Sequence, residues 1–367
     1  MPVIQICGLT FFYDERCIFR DLSLQFEAGG RYLIVGLNGC GKSTLLKLLG
    51  GKMLSPSGSI QVLDKDPFRD TILNNHISFL NNEWGTRTVA YSGYNMPLQS
   101  GMQVKEMMVV LKEKHPERNR ELMDVLKINP EWKLNAISEG QRKRVQLYLG
   151  LIQPFDICLL DEITVNLDIL IKDRFMEYLK KESRERNCCI LYITHIFDGL
   201  DDWCTHLLHI QKNSEVGYFG LKPEGNMLYP FLLSLLQKEE DKIRRKRAKA
   251  NDPVALSQLG KKFYDEGDYE GAFQYWTKAA TLGGIGAHFN ISIMYATGEG
   301  VEKDEKKELY HLEEAAIGGH PTARYNLGCT EAVNGNNARA VNHFIIAAKL
   351  GYDKALDAVK DCFSKGR

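Results

Sequence analysis

A chain of 367 residues that is 44% hydrophobic is long enough for two packed domains at roughly 150 residues each. Its 47 basic and 47 acidic side chains cancel to a formal net charge of zero, so the chain as a whole carries no bias toward nucleic acid or acidic partners. Its nine cysteines form no C-x-x-C pair, which excludes a zinc ribbon of that kind and points to a reducing compartment rather than a disulfide framework.

The N-terminus shows no signal-peptide pattern. No apolar run approaches the ~18–20 residues that span a membrane; the longest, Tyr229 to Leu236, contains Pro230. The expectation is a soluble, cytoplasmic protein without direct membrane insertion, with the nucleus left open by one basic run described below.

Leu9-Thr10-Phe11-Phe12-Tyr13 reads as a strand, and Tyr32-Leu33-Ile34-Val35 as a buried one. Directly after it comes Gly36-Leu37-Asn38-Gly39-Cys40-Gly41-Lys42-Ser43, which meets G-x-x-x-x-G-K-[ST] at every required position. Thr44 to Leu49 is helical and Gly50-Gly51 closes it. This strand–loop–helix order is the context in which the motif binds a nucleoside triphosphate. Backbone N–H groups of Gly36 to Gly41 close round phosphate oxygens, and the helix N-terminus adds a favourable dipole. Lys42 would reach the β- and γ-phosphates and Ser43 would hold Mg²⁺; Thr44 completes the segment.

Further on, Ile77-Ser78-Phe79-Leu80 is another strand. Ser138-Glu139-Gly140-Gln141 opens an amphipathic helix with the stripe Val145, Tyr148, Leu149, Ile152, and Pro154 ends it. Ser138 and Gln141 have capping-box spacing, so by itself this tetrapeptide is equally well a plain helix start. Ile157-Cys158-Leu159-Leu160-Asp161-Glu162 is an apolar strand ending in two carboxylates. In a P-loop enzyme the Asp holds Mg²⁺ and the Glu acts as general base on water; alternatively, the pair merely caps a strand. Asn166-Leu167-Asp168 reads as a turn entering a helix. Ile190-Leu191-Tyr192-Ile193-Thr194-His195 is a buried strand ending in His, a position that by itself is usually structural.

Together these features resemble the nucleotide-binding domain of the ABC ATPase family over roughly residues 1–222, with five motifs in order. The resemblance implies a P-loop α/β fold with an antiparallel β portion and a helical subdomain. It implies that Ser138 to Gln141 are the signature motif, here Ser-Glu-Gly-Gln rather than the commoner Ser-Gly-Gly-Gln, which caps the γ-phosphate of ATP held by the other subunit of a dimer. It makes Asp161 the metal ligand with Ser43, Glu162 the catalytic base, Asp168 the D-loop residue and His195 the switch histidine at the γ-phosphate. Tyr13 matches the aromatic that stacks on adenine, which favours ATP, or else is a core or edge-strand aromatic.

One motif departs from the family. The loop after Leu80 should carry a Gln, and Asn81-Asn82-Glu83-Trp84 stands there instead. Asn82 is the ungapped match and Glu83 the alternative; either would hold Mg²⁺ or water. In transporters this loop signals to the membrane domain, so its alteration speaks against a standard transport role. Leu159 to Asp168, Thr194 to Leu200 and Arg142 to Leu147 are similar to a soluble, membrane-domain-free subgroup, the fungal Ccr–Not-associated factor and the plant class I ABC proteins. That likeness implies a free-standing ATPase linked to transcription or mRNA decay. One cassette per chain makes a homodimer the simplest assembly, with hydrolysis separating the two copies. Two other readings stay open: the ATP-binding subunit of a transporter with a separate membrane protein, and a nucleotide-gated scaffold with little turnover.

Residues 226–252 form an apolar helix followed by the run Arg244-Arg245-Lys246-Arg247-Ala248-Lys249. Such a run fits a nuclear-import or nucleic-acid patch. A solvated helix or linker is the preferred reading, and no nucleic-acid partner is expected. From Asn251-Asp252-Pro253 onward a repeat appears. Leu259, Ile291 and Leu327 share one phase; Ala279-Ala280, Ala315-Ala316 and Ala347-Ala348 share another; Gly283, Gly319 and Gly351 follow as helix-ending glycines. The period alternates between 32 and 36 residues, the longer unit carrying Gly298 to Asp304 as an insertion. This resembles the Sel-one-like branch of tetratricopeptide repeats and implies an all-α solenoid over residues 253–367, following a cassette over 1–225. Such surfaces bind proteins or peptides, unless the array is a structural appendage. His288, His311, His320 and His343 fall at different phases and suggest no shared metal site.

Overall fold

The computed structural model describes residues 2–55, 57–82, 88–91, 94–97, 103–212, 215–223 and 228–364. The chain divides into two compact units, Met1–Gln237 and Lys238–Arg367.

In chain order the first unit contains β1 (Pro2–Tyr13), β2 (Arg16–Glu27), β3 (Arg31–Val35), α1 (Lys42–Leu49), β4 (Ser59–Val62), β5 (Ile77–Leu80), β6 (Thr88–Tyr91), β7 (Tyr94–Pro97), α2 (Val104–Lys114), α3 (Pro116–Leu126), α4 (Glu139–Leu151), β8 (Ile157–Asp161), α5 (Ile169–Glu185), β9 (Cys189–Ile193), β10 (His206–Ile210) and β11 (Val216–Leu221). An antiparallel sheet has the order β2-β1-β4, and β6 pairs with β7 alone. The central sheet runs β11-β10-β3-β9-β8-β5, parallel except for the edge strand β11.

Parallel strands covered on both faces need continuous apolar runs, and every residue of β3, β8 and β9 is buried. The pleat sends alternate residues to opposite faces. Tyr32 and Ile34 join the core formed with β1, β2 and α1, where Phe19, Phe26, Leu45 and Leu49 are buried. Leu33 and Val35 join the core under α2 to α5, with Leu122, Tyr148 and Phe175. Register then places the site: Ile193 pairs with Ile34 on one side and with Asp161 on the other. The carboxyl ends of β3, β9 and β8 therefore lie side by side on one edge, where ligands bind in open α/β sheets.

The helix α6 (Leu228–Lys249) carries both the apolar segment and the basic run in one unbroken element. Its Leu228 and Leu232 belong to a core of the first unit and its Ala248 to a core of the second. The second unit continues with α7 (Pro253–Asp265), α8 (Tyr269–Thr281), α9 (Ile285–Thr297), α10 (Glu305–Ile317), α11 (Pro321–Val333), α12 (Asn337–Lys349) and α13 (Asp353–Ser364), each packed on the next. The repeat phases are structural phases: Leu259, Ile291 and Leu327 are buried, as are Ala279, Ala315 and Ala347.

Packing within the repeats adds a rule that the period alone does not show. A Cβ on Gly260 would lie 2.5 Å from Trp276, and one on Gly328 would lie 2.6 Å from Phe344. In the middle repeat the corresponding residues are Ser292 and Leu312, both buried. Where the facing side chain is aromatic the helix carries glycine; where it is leucine it tolerates serine. The histidines are not all scattered either: His288 Nδ1 and His311 Nδ1 meet at 3.0 Å between α9 and α10.

Candidate nucleotide site

The phosphate loop leaves β3 and enters α1 through Gly41, whose φ of 104° is left-handed. No side chain caps this helix and its first turn holds no acid, so its free N–H groups and dipole are available to an anion. Gly36 is required by close approach: a Cβ there would sit 2.2 Å from the Ile210 carbonyl oxygen and 2.7 Å from Cys40 Sγ. Cys40 and Thr44 are buried and Asn38 is exposed. Lys42 folds back over the loop, its Nζ donating to the Gly36 carbonyl at 2.7 Å and the Leu37 carbonyl at 3.3 Å. These carbonyls hold the ammonium against the phosphate cradle. Arg16 donates from Nη2 to the Gly39 carbonyl at 2.9 Å, a brace that sequence reading missed because its partner is a backbone atom 23 residues away.

Asp161 ends β8 with its carboxyl hydrogen-bonded to the Ser43 hydroxyl. Burial pushes its pKa up, the Ser43 bond and the Lys47 and Lys42 charges oppose that shift, and Glu162 adds to it. A buried carboxylate whose charge is only partly compensated favours a cation. Among the described residues no group of three His, Cys, Asp or Glu could hold a metal alone. Ser43 and Asp161 fit Mg²⁺, which binds through few protein ligands and takes the rest from phosphate oxygens and water.

Glu162 is in the left-handed region, with φ of 51°, uncommon for a residue with a Cβ. Its N–H donates to the Ile193 carbonyl at 2.9 Å, which fixes the turn. The result brings Glu162 Oε1 to 3.1 Å from His195 Nε2. Two side chains 33 residues apart in sequence are neighbours because β8 and β9 are paired.

The motif from Ser138 lies on a different element. Ser138 caps α4, its Oγ accepting from the Gln141 N–H at 3.2 Å while Gln141 Oε1 accepts from the Ser138 N–H at 2.9 Å. Glu139 Oε1 accepts from Asn166 Nδ2 at 2.7 Å. Arg144 Nη2 donates to Asp168 Oδ2 at 2.8 Å, and Asp168 caps α5 through the Ile171 N–H at 3.0 Å. A Cβ on Gly140 would lie 2.8 Å from the Asn166 carbonyl oxygen. The start of α4 and the 166–168 turn are thus gripped together at three points.

Asn82 does not point away as a free ligand: its Oδ1 accepts from Lys143 Nζ at 2.6 Å, and Gln146 donates to the Asn81 carbonyl at 2.7 Å. Burial pulls the Lys143 pKa down to about 8. Glu83 lies outside the described residues. Tyr13, at the end of β1, is 43% exposed. Its Oη donates to Met53 Sδ at 3.4 Å and its ring meets Phe11 edge-on.

Residues 19–165 match the ABC transporter family, and residues 253–284, 285–320 and 321–352 each match the Sel1 repeat. ABC transporter I family member 20 of Arabidopsis thaliana is 37% identical over 265 residues, spanning 68% of this chain and 80% of that protein. The chain belongs to the ABC ATPase family. CCR4-associated factor 16 of Saccharomyces cerevisiae is 36% identical over 222 residues, or 58% of this chain and 77% of that protein. The solved structure of an ATP-binding subunit of an ABC transporter superposes with a TM-score of 0.52 at 18% identity, covering 64% of this chain and 99% of the other; that likeness is one of fold. The protein is an ATP-binding cassette of ABC type carrying Sel1 repeats. Among the described residues no helix is long and apolar enough to cross a membrane.

Proposed function

We propose that the protein is a cytoplasmic ATP-driven switch, in which residues 1–225 bind and hydrolyse ATP and residues 253–367 hold a protein or peptide partner, with residues 226–252 joining them. Two copies pair as a homodimer with two ATP molecules sandwiched between their cassettes. Each ATP is held by Tyr13 and the Gly36 to Thr44 segment of one copy and faces the Ser138-Glu139-Gly140-Gln141 motif at the start of α4 of the other. Ser43 and Asp161 would hold Mg²⁺, which offsets phosphate charge. Glu162 takes a proton from a water in line with the γ-phosphorus; the water oxygen bonds to phosphorus as the bond to the β–γ bridging oxygen breaks, releasing ADP and phosphate. His195 donates to the γ-phosphate and steadies it. Catalysis of this kind is mostly positioning and charge stabilisation.

The observation that carries this reading is the meeting of Glu162 with His195 at 3.1 Å on the edge where Ser43 bonds Asp161. Asp168, through Arg144, ties the 166–168 turn to the capping helix. The name of the yeast relative, CCR4-associated factor 16, supports a place beside transcription or mRNA-decay machinery. The test is phosphate release by the wild type and by Glu162→Gln, with size-exclusion chromatography in ATP–Mg²⁺. Removing a general base costs about 10²–10⁴-fold in turnover, and the variant should elute as a nucleotide-trapped dimer. Unchanged turnover in the variant would sink the reading.

A further inference from the structure

Glu139 is the chain's departure from the commoner signature, and it stands at a sensitive place. It is the first residue of α4 and the one acid in that helix's first turn. A helix start carries a partial positive charge of roughly half a unit, which favours an anion. Glu139 sets a full negative charge there. Its carboxylate is not free to swing away. Asn166 donates to Oε1 at 2.7 Å, Asn166 is itself fixed in the left-handed region at φ 71°, and its carbonyl oxygen lies against Gly140.

Of the cations nearest in sequence, Arg142 lies three residues along α4 with its Nε buried and without a hydrogen-bond partner among the described residues, and the next two bond elsewhere. Arg144 is paired with Asp168 at 2.8 Å. Lys143, one turn along α4, donates to Asn82 at 2.6 Å, although its charge is close enough to be felt by Glu139. Glu139 is exposed, at a helix start that would otherwise suit a phosphate.

We propose that Glu139 limits the affinity of the nucleotide-bound dimer: its carboxylate, held by Asn166 at the start of α4, opposes the terminal phosphate that this same helix end caps on the partner copy. The inference rests on the sandwich reading above. It makes the dimer readily reversible, so that each round of hydrolysis separates the copies without a bound product having to push them apart.

Glu139→Gln separates charge from position, because the amide oxygen still accepts from Asn166 while the negative charge is gone. Glu139→Asp keeps the charge. Both are placed in a Glu162→Gln background, so that turnover does not deplete ATP, and dimer formation is followed by light scattering across ATP–Mg²⁺ concentrations. Like charges brought together across an interface weaken it strongly, so Glu139→Gln is expected to dimerise at about tenfold lower ATP. Glu139→Asp should stay near the parent. The parent's dimer should tighten between ~0.01 M and ~0.15 M salt, as the Debye length falls from about 30 to 8 Å, and the Gln variant's should not. A Gln variant that dimerises no better than the parent, or shows the same salt dependence, overturns the inference. Absence of a dimer in all three proteins overturns the sandwich reading and this inference with it, an outcome distinct from a dimer indifferent to residue 139.

Discussion

Single residues in this cassette are constrained by what lies against them more than by their own chemistry. Gly140 shows this. Its neighbour across the contact is a backbone oxygen, 2.8 Å from where a Cβ would stand, and a backbone oxygen cannot rotate aside as a side chain can. Gly140→Ala is therefore expected to destabilise the first unit by about 1–3 kcal/mol, the usual cost of forcing an extra methyl into a packed contact. It should also misalign Glu139 with Asn166. Urea denaturation measures the first effect and phosphate release the second; a stable variant with normal turnover would show that the α4 contact is slack. Glu162 is the opposite case, where the neighbourhood imposes an uncommon backbone conformation and the side chain gains its position beside His195.

At the level of elements, α4 is tied to two separate segments of the first unit. Its first turns bind the 166–168 turn through Glu139 and Arg144, and residues 81 and 82 through Lys143 and Gln146. The repeats make a different prediction. Burial lowers the pKa of His311, with the His288 charge acting in the same direction; burial likewise lowers His320 and His343. Each folded-state pKa thus lies below the unfolded value of 6.5. Above that value both states are neutral and nothing changes. As pH falls below it, the unfolded chain takes up protons more readily than the folded one, so stability drops until the folded-state pKa values are passed. Denaturation curves for the repeat unit should be flat above about pH 7 and lose stability progressively toward pH 5. His311→Phe should flatten part of that slope. A stability that rises on acidification would contradict the buried-neutral assignment.

For the whole molecule, the presence of separate cores in the two units predicts two responses to heat. ATP–Mg²⁺ binds the native cassette and so stabilises it by mass action, about 2.7 kcal/mol at a ligand concentration a hundred times its Kd. Ile291 is fully buried in a core of the second unit, and Ile291→Ala should cost that unit about 2–5 kcal/mol. In calorimetry the nucleotide is expected to raise one transition and the substitution to lower the other. A single transition that answers to both would show that the units unfold as one.

Features confined to one contiguous stretch are legible from the residues alone. The phosphate loop, the strands bounding it, the capping box at Ser138 and the repeat period are set by residues a few positions apart, where glycine conformations, helix caps and strand burial act locally. Tertiary structure decided what depends on strands and helices meeting. Pairing of β8 with β9 puts Glu162 beside His195. Contacts across α4 put Glu139 against Asn166 and turn Asn82 toward Lys143. No spacing rule encodes these meetings, because each partner was chosen by the packing of elements distant in the chain. The glycines facing Trp276 and Phe344 make the same point in the repeats: the period announces equivalent positions, but only the packed helices reveal that one side of each pair must be small because the other is large.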